Sequence, residues 1–313
     1  MESTSTGSAS SPRILVGTDF SPTAAVAVDW AVELARQQGA RVEIIHAVTV
    51  PPSVPEYVSP GALAPGPFFD EEVRRAALAR LEQEAASLRA KGIEVETWLS
   101  LGTPSMLISD RAAETSALAI VIGTRGLTGL RHVLLGSTAE RLVQKAPCPV
   151  LVVHPEDLGR HRAIHTILVP TDFSEDAERA IHTAQRLLAP APDARLTLLH
   201  AFNLPIEYTA YGPIPTSVHY LQDTGLDAER RLQELTDRLT GEGLAVDWVA
   251  REGDPSVVIV EEAERRQVDL IAMGSHGRSG LRHLLLGSTA ERVVQHAGCP
   301  VMAVRAPTSP RPS

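Results

Sequence analysis

GTRGLTGLRHVLLGST (residues 123–138) and GSHGRSGLRHLLLGST (residues 274–289) are one segment written twice in a single chain. Each follows a short apolar run and ends where a helical pattern begins. Working outward, the same doubling recurs. RILVGTDF (13–20) answers TILVPTDF (166–173), and IIHA (44–47) answers LLHA (198–201). LGTPS (101–105) answers EGDPS (252–256), and each copy closes on CPV, at 148–150 and 299–301. The offset stays between 151 and 154 residues throughout. The chain therefore reads as two copies of one unit, 13–153 and 166–304. A disordered tail (1–12), a short polar linker, HPEDLGRHRAIH (154–165), and a second tail (305–313) lie outside them.

Within each copy, short β-branched runs alternate with helical patterns, as in βαβ units. In the first, ILVGT opens as a buried strand, and a helix with Ser21 and Pro22 as start signals carries apolar residues from Ala24 to Ala35. VEIIHA is the second strand, followed by a long helix over about 68–91 that Gly92 stops. IEVETWL is the third strand, and Pro104 opens a helix through Glu114. LAIVI is the fourth, and residues 137–146 form a helix with Ala139, Leu142, Val143 and Ala146 on one face. PVLVV (149–153) is the fifth. Five strands joined by helices predict an α/β fold: a doubly wound parallel sheet in each of two tandem copies. Residues 49–67, with six prolines, read as either a lid or a solvated loop. The second copy has a different loop there, NLPIEYTAYGPIPTS (203–217), carrying Tyr208 and Tyr211.

Composition narrows the function. The 313 residues suffice for two domains, each able to bury its own core. A net charge of −9 argues against a broad nucleic-acid-binding surface, so any anion site must be local. No stretch approaches the roughly 20 apolar residues a membrane span needs. The Ser/Thr-rich start does not resemble a secretory signal, and cytoplasm is the expected address. The two cysteines, Cys148 and Cys299, are too few for a disulfide framework or zinc cluster, and burial is expected for both.

The glycine segments carry the chemistry. Ligands of open α/β sheets gather at the carboxyl ends of the strands. Gly123, Gly126 and Gly129 free the backbone to turn and to present its N–H groups to an anion. Gly136, Ser137 and Thr138 then open a helix, whose N-terminus offers unpaired N–H groups and partial positive charge. The same holds for Gly274, Gly277, Gly287, Ser288 and Thr289. The segment is neither the Walker lysine motif nor the dinucleotide fingerprint, and a cap on an ordinary helix would look similar. Asp19 and Asp172, where strand one stops, can accept from ribose hydroxyls, hold Mg²⁺ against phosphate oxygens, or cap the next helix. Arg125, Arg131 and His132, with His276, Arg278, Arg282 and His283, surround the loops with basic groups. His46 and His200 read as packing residues.

The pattern G-x2-G-x9-G-[ST], with TDFS after strand one and CPV into strand five, resembles the universal stress protein family in both copies. The resemblance implies a tandem form of the ATP-binding branch, adenine nucleotide alpha-hydrolase-like, with strand order 3-2-1-4-5 in each domain. It implies adenosine contacts at Thr18, Asp19 and Ala47 and at Thr171, Asp172 and Ala201. Phosphate contacts fall on Gly123, Gly126, Gly136, Ser137 and Thr138 and on Gly274, Gly277, Gly287, Ser288 and Thr289. Both copies carry Ala where the family often has Val on the adenine side. The family pairs fifth strands between domains, so 149–153 and 300–304 are expected to pair, closing an internal pseudo-dimer.

Three functions stand at this point. One is an ATP- and Mg²⁺-binding stress-response regulator, with a protein partner and a homodimer of the tandem chain to be considered. Another is an enzyme, an ATPase or an adenylating ligase, although the pyrophosphatase loop of the ligases is missing. The last is a scaffold that binds no nucleotide. Little or no turnover is expected, because neither glycine segment holds an acid, Gln or Asn to direct water.

Overall fold

The computed structural model describes residues 11–49, 67–124, 135–159, 163–189, 191, 193–202, 206–209, 212–215, 218–241, 243–277 and 286–305. The first copy runs β1 (Arg13–Gly17), α1 (Pro22–Gln38), β2 (Arg41–Val48), α2 (Pro67–Arg89), β3 (Val95–Leu101), α3 (Pro104–Thr115), β4 (Ala119–Gly123), α4 (Ser137–Lys145) and β5 (Val150–Val153). The second runs β6 (Thr166–Pro170), α5 (Glu175–Leu188), β7 (Arg195–Phe202), β8 (Ile206–Thr209), β9 (Gly212–Pro215), α6 (Val218–Gly241), β10 (Ala245–Glu252), α7 (Pro255–Arg266), β11 (Leu270–Gly274), α8 (Ser288–His296) and β12 (Val301–Val304). Local chemistry sets the ends. Ser21 Oγ accepts from Ala24 N at 3.1 Å with Pro22 in the first turn, and Gly39 closes α1 in the left-handed conformation, φ 60°. Asp254 caps α7 by accepting from Ser256 N and Val257 N. No helix among the described residues is long and apolar enough to cross a membrane.

The sheet order is β10-β7-β6-β11-β12-β5-β4-β1-β2-β3, which repeats the expected 3-2-1-4-5 order in each half. All neighbours are parallel except β5 and β12, which pair antiparallel with Val301 opposite Val152, Met302 opposite Leu151 and Ala303 opposite Val150. The expected pairing of fifth strands is thus present, and it joins two five-stranded halves into one ten-stranded sheet. One expectation needs correcting. The copies do not bury separate cores: each sheet face carries one core that crosses the seam. Leu151, Met302, Trp30 and Ile181 belong to one, and Val152, Val301, Leu142 and Val293 to the other. Strands buried on both faces read as continuous apolar runs, which is why PVLVV looked like a strand but did not reveal what it would pack against.

Crossed contacts flank the seam. His154, just after β5, donates from Nε2 to Val294 O in the last turn of α8 at 2.7 Å. Arg305, just after β12, donates to Gln144 O in the last turn of α4. Both place a basic side chain at the C-terminus of the facing copy's helix, where the dipole favours it. The segment read as a polar linker is not simply solvated: Ile164 and Asp157 are buried, and the Gln37 amide donates to Ile164 O at 2.9 Å and Leu187 O at 3.0 Å.

Two further readings change. The loop expected over 203–217 contains a short hairpin, β8 against β9, with Thr209 opposite Gly212. A two-stranded ribbon has only edge strands, so Pro213 and Pro215 are tolerated in it. Residues 50–66, expected to be a lid or solvated loop, lie outside the described residues, as does the tail 1–10. Cys299 is buried as expected, while Cys148 keeps intermediate exposure; burial still pushes its thiol up to about 12.

Glu262 on α7 is buried beneath Arg265, Arg266 and Arg251. Hydrogen bonds from Arg265 first, then Arg266, outweigh burial and hold its carboxyl down at about 2. A depressed carboxyl stabilises the fold above its ordinary range and loses that contribution as pH falls through the folded value. Wild type should therefore lose about 2 kcal/mol between about pH 5 and 2 beyond what Glu262→Gln loses, after allowing for screening of the exposed arginines. Denaturant unfolding across that range checks this; parallel curves for the two proteins would refute it.

Candidate functional site

The site is built where β1 and β4 end, the point at which the sheet order turns back on itself. After β1 the chain makes a tight turn. Thr18 N donates to Ile45 O at 2.9 Å, Phe20 N to Thr18 Oγ1 at 3.0 Å, and Ser21 N to Asp19 Oδ1 at 3.0 Å. The second copy repeats it: Thr171 N to Leu199 O at 2.8 Å, Phe173 N to Thr171 Oγ1 at 3.0 Å, and Ser174 N to Asp172 Oδ1 at 3.0 Å. Asp19 and Asp172 therefore do not cap the following helices, which Ser21 and Ser174 do. Each carboxylate braces the turn that leads into the cap.

Phe20 and Phe173 sit at φ 62° in both copies, a conformation uncommon for a bulky residue. Their rings hold them there. Phe20 lies 4.4 Å from the His46 ring and 4.5 Å from the Arg80 guanidinium. Phe173 lies 4.9 Å from His200 and 4.0 Å from Arg231. His46 Nδ1 donates to Thr18 O at 2.8 Å and His200 Nδ1 to Thr171 O at 2.7 Å, so both histidines buttress the turn, in keeping with a packing role. Sequence reasoning passed over the phenylalanines, although the signal was present: TDFS is identical in both copies.

The glycines divide by role. A Cβ on Gly123 would stand 2.7 Å from Thr23 Cγ2, and one on Gly274 would stand 2.8 Å from Asp176 Cβ. These two glycines let the strand end pack against the start of α1 or α5. Gly136 N donates to Thr124 O at 2.8 Å and Gly287 N to Ser275 O at 2.9 Å, tying helix start to strand end. A Cβ at either position would lie 3.1 Å from that same carbonyl oxygen. No side chain caps α4 or α8, whose N-cap residues are these glycines. A Cβ on Gly277 would meet Asp172 Oδ2 at 2.9 Å, so the loop and the strand-one carboxylate approach closely.

These pieces enclose one cavity per copy. The first, about 530 Å³, is lined by Thr18, Asp19, Ala47, Gly123, Gly136, Ser137 and Thr138, with Pro104 and Ile108 as an apolar wall. The second, about 220 Å³, is lined by Thr171, Asp172, Ala201, Gly274, Gly277, Gly287, Ser288 and Thr289, with Pro255 and Ile259 opposite. The copies differ at the floor, where Gly17 lines the first cavity and Pro170 the second. Thr124 Oγ1, in the wall of the first, is buried without a hydrogen-bond partner among the described residues. Gly126 and Gly129 lie outside the described residues, as do the basic Arg125, Arg131, His132, Arg278, Arg282 and His283. No group of three or more His, Cys, Asp or Glu among the described residues can hold a metal ion by itself.

Fold and geometry together define a tandem, doubly wound α/β protein with a cavity at the carboxyl edge of each half-sheet. The comparison with known proteins is specific. The chain belongs to the universal stress protein family, whose pattern matches residues 11–154 and again 163–305. It is 32% identical to a universal stress protein of Mycolicibacterium smegmatis over 306 residues, covering 95% of this chain and 98% of the relative. A universal stress protein of Mycobacterium tuberculosis is 30% identical over 310 residues, covering 95% and 97%. The crystal structure of a universal stress protein from Archaeoglobus fulgidus shares the fold with a TM-score of 0.71 and 21% identity, covering 94% of this chain and 98% of that one.

Proposed function

We propose that each copy binds ATP and that occupancy sets the conformation or partner choice of a stress-response regulator. The observation that carries this is the glycine-capped helix start beside the strand-one aspartate. At Gly136 and Gly287 no side chain caps the helix that begins there, and both glycines line a cavity. Such a helix start favours phosphate through its N–H groups and its dipole. The hydroxyls of Ser137, Thr138, Ser288 and Thr289 add donors. Asp19 and Asp172 suit ribose hydroxyls or a Mg²⁺ carried in on the phosphates, and Ala47 and Ala201 leave room for a base. Thr124 Oγ1, buried and without a hydrogen-bond partner among the described residues, is a polar group a ligand can satisfy. The two binding units are 13–153 and 166–304, with 154–165 between them. A regulatory protein partner and a homodimer of the whole chain belong to the same proposal, as does a cytoplasmic address.

Mass spectrometry of nucleotide released from the denatured, purified protein tests the reading. ATP or ADP at near twofold molar ratio is the expected result, and a protein that neither carries nor takes up nucleotide would favour the scaffold reading. Turnover is expected to be slow. Hydrolysis needs a group that positions water as well as charge stabilisation of the transferred phosphoryl group. Among the described residues lining the cavities the acids are Asp19 and Asp172, both engaged in their turns. Phosphate release at saturating ATP and Mg²⁺ should stay well below about 1 per second, the low end of ordinary enzyme turnover. A faster rate that disappears in Asp19→Ala/Asp172→Ala would make the protein an ATPase.

A further inference from the structure

The two copies hold the residue after strand four in one backbone frame and treat its hydroxyl differently. Thr124 N donates to Val153 O at 2.8 Å, and Thr124 O accepts from Gly136 N at 2.8 Å. Ser275 N donates to Val304 O at 2.8 Å, and Ser275 O accepts from Gly287 N at 2.9 Å. The fifth strand and the following helix thus fix each residue from both sides. The Ser275 hydroxyl is engaged within the protein, 2.9 Å from His276 Nδ1. The Thr124 hydroxyl is buried and has no hydrogen-bond partner among the described residues. Next to it in the chain stands Arg125, where the second copy has His276, and a guanidinium offers donors but no acceptor for the Thr124 proton. Thr124 lines the first cavity with only 4% of its surface exposed. The second cavity is lined by Gly274 and His276, on either side of Ser275 in the chain.

We propose that Thr124 is a specificity-determining residue of the first site alone. Its hydroxyl donates to a phosphate oxygen of the bound nucleotide, an acceptor that the second site does not require. The inference rests on the reading of both cavities as nucleotide sites. A buried hydroxyl without a partner costs the folded chain stability, and a ligand that supplies the acceptor removes that cost. Of the parts of a nucleotide, the phosphates are the ones that belong here. The Thr124 carbonyl itself holds Gly136, the N-cap of α4, and a helix start favours an anion. Ser137 and Thr138, in the same lining, are the first residues of that helix. A hydrogen bond to a charged oxygen is stronger than one between neutral groups, so the hydroxyl contributes to affinity as well as to fit. In the second copy a ligand that drew on the Ser275 hydroxyl would have to replace the contact with His276, and little would be gained.

Thr124→Val keeps the shape and removes the hydroxyl, while Thr124→Ser restores it. Both are made in the Gly287→Val chain, which leaves the first site, and Ser275→Ala is made in the Gly136→Val chain, which leaves the second. Calorimetry should show Thr124→Val binding ATP about 10- to 100-fold more weakly than its parent, with most of that loss recovered in Thr124→Ser. Ser275→Ala should change ATP affinity by less than about threefold. Adenosine, followed by competition with ATP, should bind Thr124→Val as tightly as its parent. Thermal denaturation without nucleotide separates ligand contact from a structural role. Thr124→Val should melt no lower than its parent, because a methyl of the same shape replaces an unsatisfied polar group. A lower melting temperature would reveal a partner within the protein and overturn the proposal. Unchanged ATP affinity in Thr124→Val, an equal loss for adenosine, or an equal loss in Ser275→Ala would overturn it too, and each would leave the nucleotide reading standing. ATP binding by neither parent chain would overturn the nucleotide reading itself.

Discussion

Leu151→Asp is expected to destroy the cooperative fold of the whole chain, and Met302→Asp to do the same. These residues face each other across the β5–β12 pair, and both are fully buried. They lie in the core that both copies share on one face of the sheet. Truncating a buried Leu to Ala already costs about 2–5 kcal/mol. An aspartate there adds an unpaired buried charge, for which breaking of buried pairs suggests a further ~3–5 kcal/mol. The sum rivals the entire stability of an ordinary domain, about 5–15 kcal/mol. The expected result is aggregated or molten protein by size exclusion and loss of the sharp thermal transition followed by circular dichroism. Val257→Asp, at an exposed position on α7, serves as the control and should leave that transition in place. A Leu151→Asp protein melting within a few degrees of wild type would mean that the halves do not depend on the seam.

Gly136→Val and Gly287→Val should each remove one nucleotide site and leave the other. At both positions a bare Cβ would already approach a backbone carbonyl to 3.1 Å, that of Thr124 just after β4 or of Ser275 just after β11. The two methyls of valine have no room on that side and must lean toward the cavity or push helix and loop apart. Either outcome closes the space in front of the helix N-terminus. Calorimetry should report about two ATP per wild-type chain and about one in each variant, with at least about 100-fold weaker binding at the altered site, a loss of about 2.7 kcal/mol. Thermal denaturation separates this from misfolding, and Ser137→Ala/Thr138→Ala offers a milder variant that should weaken the first site by about tenfold. Unchanged stoichiometry in both valine variants would remove the loop from the site.

Gly123 and Gly274 behave differently, although they begin the same motif. Their missing side chains make room for Thr23 and Asp176, which an added Cβ would approach to 2.7 and 2.8 Å, so their role is one of packing. A motif read along the chain lists all its glycines alike, since spacing carries no record of what lies above each one. The same limit applies to Phe20 and Phe173. Their repetition was visible, yet their left-handed backbone depends on histidine rings from β2 or β7 and arginine guanidinium groups from α2 or α6 packing against them. The hairpin β8–β9 was missed because prolines in a short run suggest a loop, and only pairing reveals that both strands are edges.

From the sequence alone came the duplication, the five strands per copy, most helix starts, and the two sets of residues that meet at the cavities. Those features rest on interactions reaching a few residues along the chain: β-branched runs, helical periodicity, capping side chains and glycine turns. The tertiary structure decided what those elements share. It merged two cores into one on each sheet face, crossed His154 and Arg305 onto the opposite copies, and brought Asp176 beneath His276 in the second site only. Burial and close packing act between residues far apart in sequence, and identical local motifs acquire different neighbours once the chain is compact. The two sites are therefore alike in their motif and unlike in their charge.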